Sequence, residues 1–234
     1  MLKWFSADLH IHTVLSPCAE LDMGPINIVE AAEKLDMDII GITDHNSAAN
    51  VAAVMERADQ RGLVVIGGIE VQTREEVHVL CLFPGLEQLS AYAAYIRSRL
   101  PKVPNQPEVF GDQVVVNGEE EILYFEETLL LSSVMASLEE VVARAVAWGG
   151  LVIPAHIDRP SFSVLSNLGF IPPQLPVAAL EIAWPERISD ILSRYPSLAQ
   201  YCLVSFSDAH TLSQLERGFC TYFYLQEPTF IEIK

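Results

Sequence analysis

His10 and His12 are separated by a single residue within a short, mostly apolar run near the start of the chain. On a β-strand, alternate side chains point to the same face, so we expect Asp8, His10 and His12 to share one face. Leu9 and Ile11 are then expected to point to the other face. Two imidazoles at this spacing can chelate one metal ion, but a polar strand end that faces water has the same pattern. The motif alone therefore leaves both interpretations open.

The positions of the other histidines favour a metal site. The chain has 6 histidines, and five of them lie at or just beyond the C-terminal end of an apolar run. His45, His156 and His210 each follow such a run, whereas His78 is the exception and lies inside the run 77–83. Histidines with only a packing or surface role should scatter along a chain. Because enclosed α/β barrels build their sites at strand ends, the clustering predicts a site for several metal ions.

The order of apolar runs and helical patterns predicts the fold. Unbroken apolar strands that alternate with helices are typical of a parallel sheet covered by helices. About seven strands can be assigned in this way, which indicates a closed or nearly closed α/β barrel in a single domain over 1–234. Residues 101–136 break the rhythm with prolines and an Asn117-Gly118 turn between two short apolar runs. We expect a hairpin-containing insertion there, acting as a lid or an oligomer contact.

Charge and composition disfavour several classes of protein. The formal net charge is −17, whereas sequence-independent binding of nucleic acid depends on Lys and Arg neutralising phosphates. No apolar run reaches about 18 residues, so no membrane span is expected, and no signal peptide is recognised before the first predicted strand. Cys81, Cys202 and Cys220 lie in or beside apolar runs and are expected to be buried. Because no C-x-x-C spacing occurs, we expect reduced thiols and a cytoplasmic protein.

Five motifs resemble, in order, those of one known family. They are Asp8-Leu9-His10-Ile11-His12-Thr13, Ile42-Thr43-Asp44-His45-Asn46, Gly68-Ile69-Glu70, Pro154-Ala155-His156 and Ser207-Asp208-Ala209-His210. Spanning about 7 to 210, they resemble the motifs of the PHP (polymerase and histidinol phosphatase) family. The resemblance implies a distorted (β/α)7 barrel that holds up to three divalent metal ions at the C-terminal ends of its strands. It also implies phosphoesterase activity, because phosphatases and proofreading nucleases belong to this family.

The resemblance implies, by position, two metal ions that share a bridging carboxylate. Glu70 is the implied bridge, since the two oxygens of a carboxylate can each bind one ion. Imidazole ligands suit Zn, Fe or Mn. The other implied ligands are His10, His12 and Asp208 for the first ion and His78 and His156 for the second.

A third ion would be held by His45 and His210 in the family pattern. Many family members place a His or Asp where this chain has Cys18. The sequence leaves three possibilities open: a Cys18 thiolate ligand, a substitute ligand from Glu20 or Asp22, or a third site that stays empty.

Three further residues beside the motifs have expected supporting roles. Asp8 and Asp44 are expected to orient ligand histidines rather than to bind metal. Arg159 follows His156 closely, and its guanidinium could hold a substrate phosphate. A surface arginine paired with Asp158 is the alternative for this residue.

The sequence therefore predicts a metal-dependent phosphoesterase that hydrolyses a small phosphate ester with water activated by two to three divalent ions (Zn, Fe or Mn). A hydrolase of C–N or C–O bonds, a nucleotide phosphodiesterase or nuclease, and a non-catalytic module stabilised by metal are the alternatives. The lack of a Lys/Arg run argues against long nucleic acid, and a structural zinc site needs only about four ligands. The residues expected to take part in catalysis are Glu70, Asp208, His210 and Arg159.

Overall fold

The computed structural model describes residues 1–59, 61–215 and 220–234. Within these residues the strands are β1 (Lys3–Ile11), β2 (Ile39–Ile42), β3 (Val64–Gln72), β4 (His78–Leu82), β5 (Val114–Val116), β6 (Ile122–Phe125), β7 (Leu151–Pro154), β8 (Ala179–Glu181), β9 (Cys202–Val204) and β10 (Thr221–Leu225). The α-helices are α1 (Pro25–Lys34), α2 (Val51–Ala58), α3 (Leu86–Arg99), α4 (Pro107–Phe110), α5 (Leu138–Ala147), α6 (Val164–Asn167), α7 (Ile188–Arg194) and α8 (Phe230–Ile233). Short 3₁₀ helices cover Pro185–Arg187, Pro196–Gln200 and Leu212–Gln214.

The strands curl into a ring. A six-stranded sheet has the order β10-β1-β2-β3-β4-β7, and β8 and β9 form a parallel pair. The N–H of Ala178 donates to the carbonyl of Val152 at 3.0 Å and connects the β8 segment with β7. Beyond β9, Ala209 forms a parallel bridge with Ile11 at the end of β1. The predicted α/β barrel fold is confirmed, and β1, β2, β3, β4, β7, β8 and β9 follow one another around it.

The expectation of a parallel sheet is wrong at β4, which pairs antiparallel with both β3 and β7. The short turn over 73–77 joins β3 to β4, whereas a parallel pairing would need a crossover of about a dozen residues. His78 begins β4 and lies opposite Gln72, the last residue of β3. The reversal therefore carries His78 to the end of the barrel where the other strands finish. β10 is also antiparallel, on the outer edge of β1.

A bulge in β1 changes which of its side chains face inwards. The register between β1 and β2 shifts between Asp8 and Ile11, so β1 has one more residue than β2 over this stretch. Leu9 packs in a cluster of strand residues inside the barrel, whereas Ile11 packs in the cluster that includes the helices. The expectation that Leu9 and Ile11 share a face is wrong, because the bulge interrupts the alternation. Gly41 stands opposite the bulge, where a Cβ would lie 2.6 Å from the Leu9 backbone.

The helices begin where the chain offers start signals and cover the outside of the sheet. Pro25 is the first residue of α1, where its missing N–H costs no hydrogen bond. Ser137 caps α5, its hydroxyl accepting from the Glu140 N–H at 3.2 Å while the Glu140 carboxylate accepts from the Ser137 N–H at 2.8 Å. In the described part of the chain, no helix combines the length and the apolar character needed to cross a bilayer.

Strands β5 and β6 form an antiparallel hairpin around the Asn117-Gly118 turn. The Asn117 side-chain oxygen accepts from the N–H groups of Glu119 and Glu121 at 3.0 Å and 2.9 Å and holds the turn. β5 is buried and its Val114 N–H donates to the carbonyl of Val14 at 3.1 Å. The hairpin thus lies against the loop that follows β1.

Gly41→Ala should destabilise the barrel without removing any polar contact. The new methyl group would meet the backbone of Leu9, which cannot move aside as a side chain can, so we expect a loss of about 1–3 kcal/mol in urea unfolding. Gly85→Ala is the matched control, because its Cβ would meet only the Gln88 side chain at 3.5 Å. A wild-type unfolding free energy for Gly41→Ala would contradict the close packing of β2 on the bulge.

Candidate metal centre

Strand ends and the loops that follow them bring the predicted ligands to one end of the barrel. All of the histidines except His210 are buried there, as are the carboxylates of Glu70 and Asp208. β1 and the residue after it supply one pair, and β4 contributes from its first residue because it runs in the opposite direction. The side chains that meet are His10, His12, Cys18, His45, Glu70, His78, His156, Asp208 and His210.

His10, His12, Glu70 and Asp208 form the most compact group. His10 Nε2 lies 3.2 Å from His12 Nε2 and 3.2 Å from Asp208 Oδ1. His12 Nε2 is 3.1 Å from Asp208 Oδ1, and His10 Nε2 is 3.3 Å from Glu70 Oε1. Ligand atoms about 2.0–2.1 Å from a tetrahedral zinc ion are separated from one another by about 3.4 Å. The four side chains are therefore spaced as ligands of a single ion would be.

Each oxygen of the Glu70 carboxylate lies close to a different pair of histidines. Oε1 lies 2.9 Å from His78 Nδ1 and 3.2 Å from His156 Nε2. Oε2 lies 2.9 Å from His45 Nδ1 and 3.4 Å from His12 Nε2. His45, Glu70 and His78 form a second group that could hold an ion, and His156 reaches this group through its contact with Glu70.

A third group consists of His12, His45 and His210. The rings of His12 and His210 stack with their centroids 4.0 Å apart. The Cys18 thiol lies close enough to His210 and His45 for both to act on its pKa, although the residue as a whole is exposed and belongs to none of the three groups. Burial alone would raise the pKa of this thiol, but the two histidines outweigh it and lower the pKa to about 6.

The alternative ligands for this third group lie elsewhere. Among the described residues, Glu20, Asp22 and Cys18 are all exposed and none of them belongs to a group of candidate ligands. Of the three, Cys18 is the residue whose pKa is affected by His45 and His210.

The residues fit divalent metal ions. Within the described part of the chain, Glu70 Oε2, Asp208 Oδ1 and His45 Nδ1 are buried without a hydrogen-bond partner, and an unpaired buried polar atom costs about 1–3 kcal/mol. Glu70 Oε2 and His45 Nδ1 are close yet do not form a hydrogen bond, as expected of two atoms that converge on an ion between them. Imidazole nitrogens combined with carboxylate oxygens suit Zn, Fe or Mn.

The electrostatics of the cluster keep its acids ionised. Burial would raise the pKa values of Glu70 and Asp208, but the surrounding histidines hold both well below their usual range. Burial, together with the charges of His210 and His45, places the pKa of His12 well below its usual value. Metal ions bind ionised carboxylates and neutral imidazoles, so Glu70, Asp208 and His12 are already in the state that binding requires. Burial would lower the pKa values of His10 and His45, but the neighbouring carboxylates raise both, that of His45 to about 10, so these two imidazoles release protons when metal binds.

Glu181 completes the site from β8 and is a functional residue that the sequence interpretation missed. It is buried, with its two oxygens 3.0 Å and 3.1 Å from His10 Nδ1. Because a carboxylate only accepts, His10 donates through Nδ1, so Nε2 is the nitrogen directed at a metal ion. Glu181 also accepts from the His156 N–H at 2.9 Å. The available signal was a single acidic residue within the otherwise apolar run 177–183.

Asp44 orients His12 through a hydroxyl. The Ser16 hydroxyl donates to Asp44 Oδ1 at 2.7 Å and so accepts from His12 Nδ1 at 2.9 Å, which leaves His12 Nε2 free. Asp8 works differently: its carboxylate accepts from the N–H groups of His10 and Ser207, at 3.3 Å and 3.1 Å. Burial raises the pKa of Asp8 to about 7. Asp8 therefore holds the main chain beside the site rather than a histidine ring.

Arg159 lies at the mouth of the site. It pairs with Asp208 Oδ2 at 2.6 Å, so the alternative of a surface pair with Asp158 is wrong. Asp158 instead accepts from the N–H groups of Ala183 and Trp184, at 2.7 Å and 3.0 Å. Arg159 lines a pocket of about 120 Å³, and the other lining residues are His45, Glu70, His78, His156, Ser161, Phe162, Asp208 and His210.

Glu181→Gln should weaken metal binding while leaving the fold in place. A glutamine oxygen can accept from either His10 or the His156 N–H, but its NH₂ group cannot accept from the other. We expect about a 10–100-fold loss of metal affinity, measured by competition with a coloured chelator. Glu186→Gln, on an exposed neighbour, is the control and should bind as wild type does. Equal metal affinities of the Glu181→Gln and Glu186→Gln variants would show that Glu181 does not support metal binding.

The Cys18 thiol should report on metal occupancy through its reactivity. After chelation its lowered pKa predicts iodoacetamide labelling that rises with pH around a midpoint of about 6, because the thiolate is the nucleophile. Bound metal should slow this labelling if Cys18 is a ligand. Peptide mapping separates Cys18 from Cys81, which is buried with a pKa raised by burial to about 12 and should stay unreactive.

Cys202 supplies the internal control for that experiment. It is exposed, so the expectation that it is buried in a core is wrong, while Cys220 is partly exposed. Cys202 should react at the same rate with and without metal. If Cys18 behaves as Cys202 does, the thiol is not a metal ligand.

Comparison with known sequences places this site in a family. A sequence model of the PHP domain matches residues 8–138, which is 131 of the 234 residues and more than half of the chain. The match includes six of the nine predicted ligands, whereas three lie beyond it, namely His156, Asp208 and His210. No curated protein matches the sequence.

Several solved structures share the fold. The lesion-specific endonuclease EndoQ from Pyrococcus furiosus superposes with a TM-score of 0.72 at 18% identity, covering 99% of this chain and 55% of the endonuclease. This chain thus spans about half the length of that enzyme. An amidohydrolase from Chromobacterium violaceum, solved with bound sulfate and no metal, gives 0.62 at 20% identity over 92% of this chain and 90% of its own. A candidate metal-dependent phosphoesterase from Bifidobacterium adolescentis gives 0.60 at 21% identity over 87% of each chain.

Proposed function

Because this chain belongs to the PHP family and is a metal-dependent hydrolase, we propose that it hydrolyses small phosphate esters with two or three divalent ions (Zn, Fe or Mn) held by the strand-end cluster. One observation carries the proposal: buried imidazole and carboxylate atoms lie at the mutual spacing of metal ligands around the shared carboxylate of Glu70. When bound, two bridged ions supply an activated water and stabilise the charge that develops on the phosphate oxygens.

The side chains around the pocket have separate roles in binding the metal ions and the substrate phosphate. Glu70 presents an oxygen to each side of the cluster, and Asp208 presents Oδ1 to His10 and His12 while Oδ2 binds Arg159. The guanidinium of Arg159 has the planar fork that matches phosphate oxygens. Glu70, Asp208, His210 and Arg159 all line the same pocket, which supports these four as the residues that act on the substrate.

Pocket size and charge favour a small substrate. The pocket of about 120 Å³ is narrow, and Arg159 is the one Lys or Arg among its described lining residues. A net charge of −17 opposes the approach of a long polyanion. Nuclease activity is nevertheless the second candidate, because EndoQ, which shares the fold, has been solved with an abasic-site DNA duplex at its active site. That enzyme is nearly twice as long, since this chain covers 55% of it.

Glu70→Gln tests the centre directly. The substitution keeps the shape of the side chain and removes the charge that offsets two dications, so we expect loss of at least one bound ion and a fall in turnover of about 100-fold or more. Elemental analysis should find at least about two transition-metal ions per wild-type chain. Glu186→Gln is the control for charge removal at an exposed position. Less than one ion per reconstituted wild-type chain, or wild-type turnover by Glu70→Gln, would refute the proposal.

A panel of substrates separates the candidate functions. Phosphate monoesters and diesters, an amide and ester set, and abasic-site DNA should be compared with the same metal-loaded enzyme. We expect hydrolysis of the small phosphate esters and competitive inhibition by orthophosphate. Activity on amides or esters alone would support the C–N or C–O hydrolase. DNA cleavage that falls steeply with salt would support the nuclease.

A further inference from the structure

A groove of about 580 Å³ opens on the far side of Arg159 from the metal pocket. Its walls come from the segment after β7 and from the α7 region, with Arg159 at the border. Much of the surface is polar or aromatic. The side chains that give it its character are Arg159, Trp184, Arg187, Asp190, Arg194 and Tyr195.

The groove and the metal pocket are neighbours, because both share lining residues with one further cavity. A cavity of about 200 Å³ lies between them and shares His156, Arg159 and Asp208 with the metal pocket. The same cavity shares Arg159 and Trp184 with the groove. A bound molecule can therefore extend from the metal cluster, past Arg159, into the groove.

Positive charge is concentrated in this groove of an acidic protein. The chain has 14 Lys and Arg residues in total, and three of them, Arg159, Arg187 and Arg194, line the groove. Arg187 lies over the Trp184 ring at 5.1 Å and Arg194 over the Tyr195 ring at 5.3 Å. Within the described residues, neither Arg187 nor Arg194 forms an ion pair with a carboxylate. Their charge is thus available to a ligand.

The acids near the groove do not cancel this charge. Asp158 is occupied by the main-chain N–H groups of Ala183 and Trp184. Asp190 lines the groove but, in the described part of the chain, forms no ion pair with Arg187 or Arg194. Stacking on an aromatic ring leaves the N–H edge of a guanidinium free and limits the rotamer entropy that is lost when an anion binds.

We infer that the groove receives the part of the substrate remote from the scissile phosphate, and that this part carries a second oxyanion bound by Arg187 and Arg194. The inference rests on the proposed phosphoesterase function, because the metal cluster is taken to hold the scissile group. The substrate is then a phosphate ester with an anionic leaving group. A phosphate and a carboxylate can each present two oxygens to the parallel N–H groups of an arginine, so both belong to this class.

Binding to the metal-loaded enzyme tests the inference without requiring turnover. Straight-chain bisphosphonates of increasing length are titrated by calorimetry, each against the alkylphosphonate of equal length. The bisphosphonate that spans the two sites should bind about tenfold or more tightly than its partner, since a hydrogen bond to a charged group contributes about 1.5–3 kcal/mol. Phosphonocarboxylates of the same lengths show whether a carboxylate replaces the second phosphonate.

Arg187→Gln and Arg194→Gln should each remove most of this preference, while Arg57→Gln, an arginine that pairs with Glu119 away from the groove, should keep it. Arg187→Lys retains the charge and covers the case in which a glutamine variant fails to fold. Equal binding of bisphosphonates and monophosphonates at every length, or a preference unchanged in both Arg→Gln variants, would overturn the inference. Tight bisphosphonate binding by an enzyme that hydrolyses no phosphate ester would uphold the groove and refute the phosphoesterase function. Hydrolysis of phosphate esters without a preference for bisphosphonates would support the phosphoesterase function and refute the anion site in the groove.

Discussion

The structure depends on one buried charge, the carboxylate of Glu70. A carboxylate removed from water is costly unless cations or hydrogen-bond donors surround it. His10, His45, His78 and His156 surround this one from separate strands, each within about 3.3 Å of an oxygen. Replacing their protons with metal ions would keep the charge balanced and give each unpartnered atom a ligand role. The buried carboxylate is therefore stable only while these histidines surround it, and the position of each residue in the cluster constrains the others.

Supporting residues fix three of the imidazoles with one nitrogen turned inwards. Glu181 holds His10, Ser16 and Asp44 hold His12, and the Gln72 side-chain oxygen lies 3.2 Å from His78 Nε2. In each case an acceptor faces the outer nitrogen, so the inner nitrogen is the one directed at a metal ion. The barrel can provide these partners because consecutive strands finish at one level, with β4 reversed so that its first residue joins them. The architecture and the protonation of the site are thus linked through ordinary hydrogen bonds.

The sequence was sufficient for the barrel and for the histidine-rich end, because both depend on short patterns: apolar runs, and polar residues where those runs stop. The sequence interpretation failed where a feature depends on a contact between residues that are far apart in the sequence. The direction of β4 and the bulge in β1 are set by pairing with neighbouring strands. The short 73–77 turn was nevertheless a local indication that β4 runs antiparallel to β3. Glu181 lies 171 residues from His10, so nothing in its own run connected the two. Cys202 sits in an apolar run yet is exposed, since it is the first residue of the short strand β9, in which only Val204 is buried.

The bridge between Ile11 and Ala209 has a consequence for how the chain matures. It places the candidate ligands after β1 beside those near Asp208, and the Asp8–Ser207 hydrogen bond there joins positions 199 residues apart. An ion held by both segments would act as a cross-link that closes a very long loop, a constraint on the unfolded chain on the order of 5 kcal/mol in the entropic treatment of such links. Translation must pass Asp208 before that link can form, so His10 and His12 lack these partners while the intervening segment is synthesised.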